Sequence, residues 1–166
     1  MSTTVDTEVT TVTCQVYVKA RPEQIWDAIT NGDTTDRYGY RGRVEYDLRP
    51  GGAYSAYPSE AMKAMGASGV IVEGEVIEVE PERRLVETWH ALFGPDTAAE
   101  PAGIVSWELE PGADGVTKLT VTHTLEDAPV TAGYVSGSIP GTGGGWPFIV
   151  SDLKTLLETG SSLSPC

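Results

Sequence analysis

His123 is the side chain best suited to move a proton inside an apolar interior. Leu119, Val121, His123 and Leu125 alternate with Thr120, Thr122 and Thr124, and period-two counting puts the histidine on the apolar face of a strand. An imidazole so placed titrates near neutral pH and suits general acid or base work on an enolisable ligand. The competing assignment is a core histidine bonded to a backbone carbonyl. Glu87 is the second candidate. If Leu85, Glu87 and Trp89 face inward, desolvation raises the carboxyl pKa and makes it a proton-transfer group. In the opposite register Val86, Thr88 and His90 face inward, and His90 takes its place.

Tyr54, Trp89, Trp107, Trp146 and Phe148 offer flat apolar surface with a few hydrogen-bond donors, the composition of a small-molecule pocket, and with His123 they form the expected ligand-contact set. Trp26 is assigned instead to helix–sheet packing. The chain has no Gly-x-x-x-x-Gly-Lys-Ser/Thr phosphate loop, no Gly-x-Ser-x-Gly elbow, no His-Glu-x-x-His and no Cys-x-x-Cys, which removes the chemistries those motifs carry. The run Gly141-Thr-Gly-Gly-Gly145 lacks a lysine and a preceding strand of a crossover unit, so it reads as a hinge and helix entry. Cys14 and Cys166 are the only cysteines; they make neither a disulfide framework nor a metal motif. No metal and no cofactor are expected.

These residues need elements to hold them. Val12, Cys14, Val16 and Val18 alternate with polar neighbours and predict a first strand. Pro22 to Ile29 switches to helical spacing, with Ile25, Trp26 and Ile29 on one face, and is expected to end near Asn31-Gly32 in a left-handed glycine cap. Thr34 to Tyr38 predicts a second short helix, capped by Asp33. Val44 to Leu48, then Arg49-Pro-Gly-Gly52, then Ala53 to Tyr57 reads as a hairpin. Pro58 to Gly69 reads as a flap carrying Met62 and Met65, or as an extension of that hairpin. Strands follow over Val70 to Val79 and Arg84 to Leu92, a loop over Phe93 to Gly103, and two further strands around Trp107 and His123. Glu126 to Gly145 reads as a long glycine-rich loop gating an entrance. Trp146, Ile149, Val150, Leu153, Leu156 and Leu157 then form the apolar stripe of a closing helix, with Ser151, Asp152, Lys154 and Glu158 on its wet side.

Bulk properties narrow the partners. At 166 residues the chain has the size of one domain, with a tail over residues 1–9, the domain over 10–160 and a second tail over 161–166. The formal charge of −13 repels phosphate backbones and anionic lipid headgroups, so no nucleic acid and no membrane partner is expected. No stretch approaches the roughly 18 apolar residues of a membrane span, and the N-terminus has neither the basic nor the apolar region of a signal peptide. A cytoplasmic protein, monomer or homodimer, is the expectation.

Six fragments in order give the chain a resemblance: Ala20-Arg-Pro-Glu-Gln-Ile-Trp-Asp-Ala-Ile-Thr30, Arg49-Pro-Gly-Gly52, Gly74-Glu-Val-Ile-Glu-Val-Glu-Pro81, Arg84-Leu-Val-Glu-Thr-Trp89, Thr117-Lys-Leu-Thr-Val-Thr-His123 and Gly145-Trp146. With them the chain resembles the SRPBCC superfamily of START-related, Bet v 1-like proteins, in its branch of activators of the heat-shock-protein-90 ATPase. The resemblance implies an α+β helix-grip fold, a curved antiparallel sheet of six to seven strands around a long C-terminal helix, with two short helices after the first strand. It also implies a large apolar cavity between sheet and helix. One fold hosts many functions, and three remain: carriage of an apolar small molecule; a cofactor-independent polyketide cyclase- or dehydratase-like reaction using His123 and Glu87; and a chaperone co-factor role, which predicts an exposed apolar patch.

Overall fold

The computed structural model describes residues 9–139 and 143–163. Seven antiparallel strands form one curved sheet in the order β1-β7-β6-β5-β4-β3-β2. They are β1 (Val9–Val18), β2 (Val44–Tyr46), β3 (Ala53–Ala56), β4 (Val72–Glu80), β5 (Arg84–Ala91), β6 (Gly103–Pro111) and β7 (Thr117–Glu126). The first strand lies beside the last: β1 leads into helices and pairs with β7, while β2 to β7 follow one another as a meander. On β7 every second residue from Thr117 to Leu125 is buried, His123 among them, while the intervening residues are half-buried. Alternation of that kind is what a sheet with one face against the core requires.

Among the described residues there are six α-helices, α1 (Pro22–Thr30), α2 (Gly32–Thr35), α3 (Glu60–Ala64), α4 (Pro95–Ala98), α5 (Pro129–Ser136) and α6 (Gly145–Thr159), and a 3-10 turn at Ala113–Gly115. The closing helix α6 packs on β1, α5 and α1. It buries Trp146, Val150, Leu153 and Leu156. Their spacing of three to four residues makes one stripe, and the inner face of the sheet covers it.

Several local expectations give way to the structure. The first helix ends in an extended Asn31, not a left-handed glycine, and Asn31 at once caps α2 by accepting the Asp33 N–H at 3.0 Å. The second helix therefore spans Gly32–Thr35 instead of Thr34 to Tyr38, with Asn31 and not Asp33 at its cap. Gly32 is needed for a close approach, since a Cβ there would lie 2.7 Å from the Val44 carbonyl oxygen. The segments read as loops each hold a helix, α4 in Phe93 to Gly103 and α5 in Glu126 to Gly145. Glu100 from the first supplies the N-terminal partners of the second: its carboxylate accepts the N–H groups of Val130 and Thr131 at 2.9 and 2.8 Å and the Thr131 hydroxyl at 2.7 Å. Ala128, at the cap position, has no side chain that could do this. Most of the glycine run lies outside α5, and Gly141 and Thr142 fall outside the described residues, as does Cys166.

Candidate functional site

Register decides which side chains share the interior. In one row across the sheet, Val12 pairs with His123, His123 with Val105, Val105 with Glu87 and Glu87 with Val76. Residues of one row point to the same face. His123 and Glu87 are 0% and 1% exposed, two strands apart, so their backbones are about 10 Å from each other. The inward set on β5 is Leu85, Glu87, Trp89 and Ala91. This resolves the register in favour of Glu87: His90 points the other way, to the Glu73 carboxylate and the Ala98 carbonyl.

Aromatic rings close over this row. Trp89 meets His123 edge to face at 4.9 Å and Trp146 at 6.0 Å, and Trp107 meets Trp146 edge to face at 5.3 Å. Gly103 makes the room. It faces Trp89 across the β5–β6 pair, and a Cβ there would lie 2.9 Å from His123 Nε2 and 2.8 Å from the Thr124 carbonyl oxygen. At the other side Gly145 starts α6 with φ +64°, where a Cβ would lie 2.2 Å from the Val135 carbonyl oxygen. Only glycine tolerates that approach, and its N–H donates to the Tyr40 hydroxyl at 2.8 Å. The next residue, Trp146, is thereby turned into the interior.

Trp146 Nε1 donates to His123 Nδ1 at 3.0 Å. An indole nitrogen can only donate, so Nδ1 carries the lone pair and the imidazole proton sits on Nε2. Burial pulls the His123 pKa down to about 4, and the ring is neutral at physiological pH. Its Nε2 makes no hydrogen bond among the described residues.

Glu87 lies in a second polar spot. Burial pushes its carboxyl up to about 8, against the opposing influence of the nearby Tyr46 hydroxyl and Trp107 indole. Both groups are directed at the carboxyl and favour its anion as hydrogen-bond donors, yet neither Glu87 Oε2 nor Trp107 Nε1 reaches full hydrogen-bond geometry among the described residues. Tyr54 stacks on Tyr46 with ring centroids 4.6 Å apart. Burial first, and then the Glu87 charge, raise both phenols well above their usual range. The spot is therefore uncharged near neutrality, with hydroxyl, carboxyl and indole groups set among apolar walls.

The structure thus gathers His123, Trp89, Trp107 and Trp146 in one cluster, with Glu87 and Tyr54 beside it. Phe148 stays apart, half-buried, its ring against Tyr40 at 5.9 Å. Sequence reasoning did not single out Tyr46 or Gly103, and it put Asp152 on the wet side of α6. Asp152 is 0% exposed and accepts the Gly39 and Leu163 N–H groups at 2.8 and 2.5 Å. Two surface clefts are built from other residues. One, of about 490 Å³, is lined by Gln15, Arg84, Glu108 and Lys118 on the outer side of the sheet; the other, of about 530 Å³, by Arg41, Arg43, Tyr57 and Lys63 beside α3. No group of three or more metal-ligating side chains, and no helix long and apolar enough to cross a membrane, occurs among the described residues.

Residues 19–158 match the family of activator of Hsp90 ATPase homolog 1-like proteins. Comparison with curated proteins gives no match. Among solved structures, CalU16 from Micromonospora echinospora is 17% identical with a TM-score of 0.64, over 93% of this chain and 87% of its own. DynU16, a protein in the dynemicin biosynthetic locus, is 25% identical with a TM-score of 0.63, over 92% of this chain; the match spans about half, 48%, of DynU16. The Aha1 dimer from Colwellia psychrerythraea is 17% identical with a TM-score of 0.63, over 91% of this chain and 98% of its own. The shared fold is the helix grip of the START-related, Bet v 1-like superfamily.

Proposed function

The chain belongs to the activator of Hsp90 ATPase homolog 1-like family, and from that premise we propose that it binds an apolar, ring-containing small molecule between the sheet and α6. The observation that carries this reading is the set of three buried polar atoms, on Glu87, Trp107 and His123, that lack hydrogen-bond partners among the described residues. An unpaired buried polar group costs about 1–3 kcal/mol. Such a cost is retained where a ligand is to be oriented, and a few polar groups within apolar walls are what small-molecule sites present. DynU16, from a biosynthetic locus, supports a small molecule as the occupant.

Entry follows the rings. From Trp146 a ladder runs through Trp89 to Phe93 at 6.1 Å and on to Tyr134 of α5 at 5.6 Å. Phe93 is 44% exposed, so the ladder leads from the interior to solvent between α4 and α5. A ligand exchanges its ring contacts for those of the ladder as it passes. The cluster holds three of the four tryptophans, so binding quenches intrinsic fluorescence. Protein freshly purified from its host should carry a copurifying small molecule in native mass spectra, and the emptied protein should be quenched by polyaromatic compounds. An empty protein that no polyaromatic compound quenches rules this reading out. The same spectra give the oligomeric state, monomer or homodimer.

A second reading has one observation in its favour. The Glu87 carboxyl, held neutral near pH 7 in an apolar site, is tuned for proton transfer. In a polyketide cyclase- or dehydratase-like reaction Glu87 would move the proton, and His123, with Nδ1 occupied by Trp146, would donate a hydrogen bond from Nε2.

A further inference from the structure

β1 ends the sheet, and one side of its backbone has no strand beside it. Gly112 N–H donates to the Val116 carbonyl at 2.8 Å, one step beyond the Pro111–Thr117 pair of the β6–β7 register, so the even-numbered residues of β7 bond to β6. Its odd-numbered residues therefore bond to β1, where they meet Thr10, Val12, Cys14 and Val16. The N–H and C=O groups of Thr11, Thr13, Gln15 and Tyr17 point the other way. Lys154 Nζ donates to the Tyr17 carbonyl at 2.8 Å; among the described residues no partner meets the backbone of Thr11, Thr13 or Gln15 on that side.

Charge, proline, a bulge or shortness guards an edge of this kind. The far edge, β2, is three residues long, with Glu45 at its centre and α1 and α2 against it. β1 has ten residues, with no charge, no proline and no register shift. Its inward Val12, Cys14 and Val16 are only half-buried, whereas the inward residues of β7 are buried throughout. The chain carries a formal charge of −13, so two copies repel one another over most of their surface, and a neutral edge is what they can bring together. Antiparallel pairing of this strand with itself also sets polar against polar on the outer face and apolar against apolar on the inner face.

We propose that the protein pairs with a second copy of itself along β1, residues Val9 to Gln15 of the two copies running antiparallel about a two-fold axis at Val12, with Thr11 of each copy against Thr13 of the other. The pairing is independent of what the interior binds. The joined segment is short, which sets a weak dissociation constant, on the order of 10 μM.

Sedimentation velocity of the full chain from about 1 to 200 μM should show the mass rising from one chain toward two. Association should strengthen severalfold between about 20 and 300 mM NaCl, as the like charges are screened. Thr13→Pro removes an outward N–H and leaves the β7 ladder intact; it should weaken association about tenfold with tryptophan emission unchanged, and Thr13→Lys should do the same by charge. In the unaltered protein, amide exchange at Thr11, Thr13 and Gln15 should slow as concentration rises, while Val12, Cys14 and Val16 stay protected throughout; this readout needs no variant to fold. A single-chain mass at every concentration, a dimer that salt dissociates or that both Thr13 variants leave intact, or protection of the odd-numbered amides that ignores concentration overturns the pairing.

Discussion

The indole N–H of Trp146 on α6 ends on Nδ1 of His123 on β7, 3.0 Å away, so the closing helix is tied to the sheet through a buried imidazole. The bond fixes the tautomer. Nitrogen-15 spectra of the imidazole should show a neutral ring protonated at Nε2, with no titration between pH 5 and 8, since burial holds the pKa at about 4. A ring protonated at Nδ1, or a midpoint near 6.5, contradicts this arrangement. Trp146→Phe keeps a ring and removes the donor, leaving both imidazole nitrogens unpaired. It should cost about 1–3 kcal/mol in urea unfolding.

Glu87 gives stability a pH dependence of definite sign. Its folded pKa of about 8 lies above the usual carboxyl value, so the neutral form is the one the native state favours. The stabilisation from this group is fully present below the unfolded pKa and is lost as pH rises toward about 8. His123 works in reverse: its folded pKa of about 4 lies below the ordinary 6.5, and stability is lost as pH falls from 6.5 toward 4. Glu87→Gln removes the first dependence alone. Thermal unfolding from pH 5 to 9 should show the variant gaining on the parent protein as pH rises, by several kcal/mol at pH 9. A constant difference across that range would place the carboxyl in contact with solvent.

How much of this was legible beforehand follows from the range of each interaction. Strand alternation around His123 and the helical stripe from Trp146 to Leu157 are local patterns, and the order of elements followed from them. The β5 register was open because Leu85/Glu87/Trp89 and Val86/Thr88/His90 each mix apolar with ionisable side chains; pairing with Val105 and Val76 decides it. Asp152 illustrates the limit. Its charge suggested solvent, yet its partners are backbone N–H groups of Gly39 and Leu163, and no periodicity within α6 signals them. The short helix α5 escaped for the same reason, since Glu100 holds its start from 30 residues away; α4 is a single turn tied locally by the Thr97 hydroxyl, which accepts the Phe93 and Gly94 N–H groups, and is too short to show a period.

That clamp is open to a local test. The hydrogen bonds from Thr131 and Val130 outweigh burial and lower the Glu100 pKa, so its contribution is present above the ordinary carboxyl range and fades as pH falls. Glu100→Ala should cost about 1 kcal/mol, the size of a lost cap. Hydrogen exchange should accelerate at the Val130 and Thr131 amides and stay unchanged in the β6–β7 ladder. Acceleration throughout the sheet would mean that α5 and the sheet unfold as one unit.

Gly103 supplies the last prediction, because it separates packing of the site from glycine content in general. Its missing side chain lets the Trp89 and His123 rings come within 4.9 Å. A methyl group at this position would sit 2.8 Å from the Thr124 carbonyl oxygen, a backbone atom in a paired strand, so neither partner yields cheaply. Gly103→Ala should therefore cost about 1–3 kcal/mol despite the smaller entropy of the unfolded chain. It should also displace His123 from Trp146 and change the tryptophan emission. Gly94 is the control. It is extended, and a Cβ there meets nothing within 4 Å; Gly94→Ala trades a slightly poorer α4 cap for reduced unfolded-state entropy and should fall within about 0.5 kcal/mol of the parent. Equal stability of the two variants by urea unfolding would show that the rings do not depend on the space Gly103 leaves.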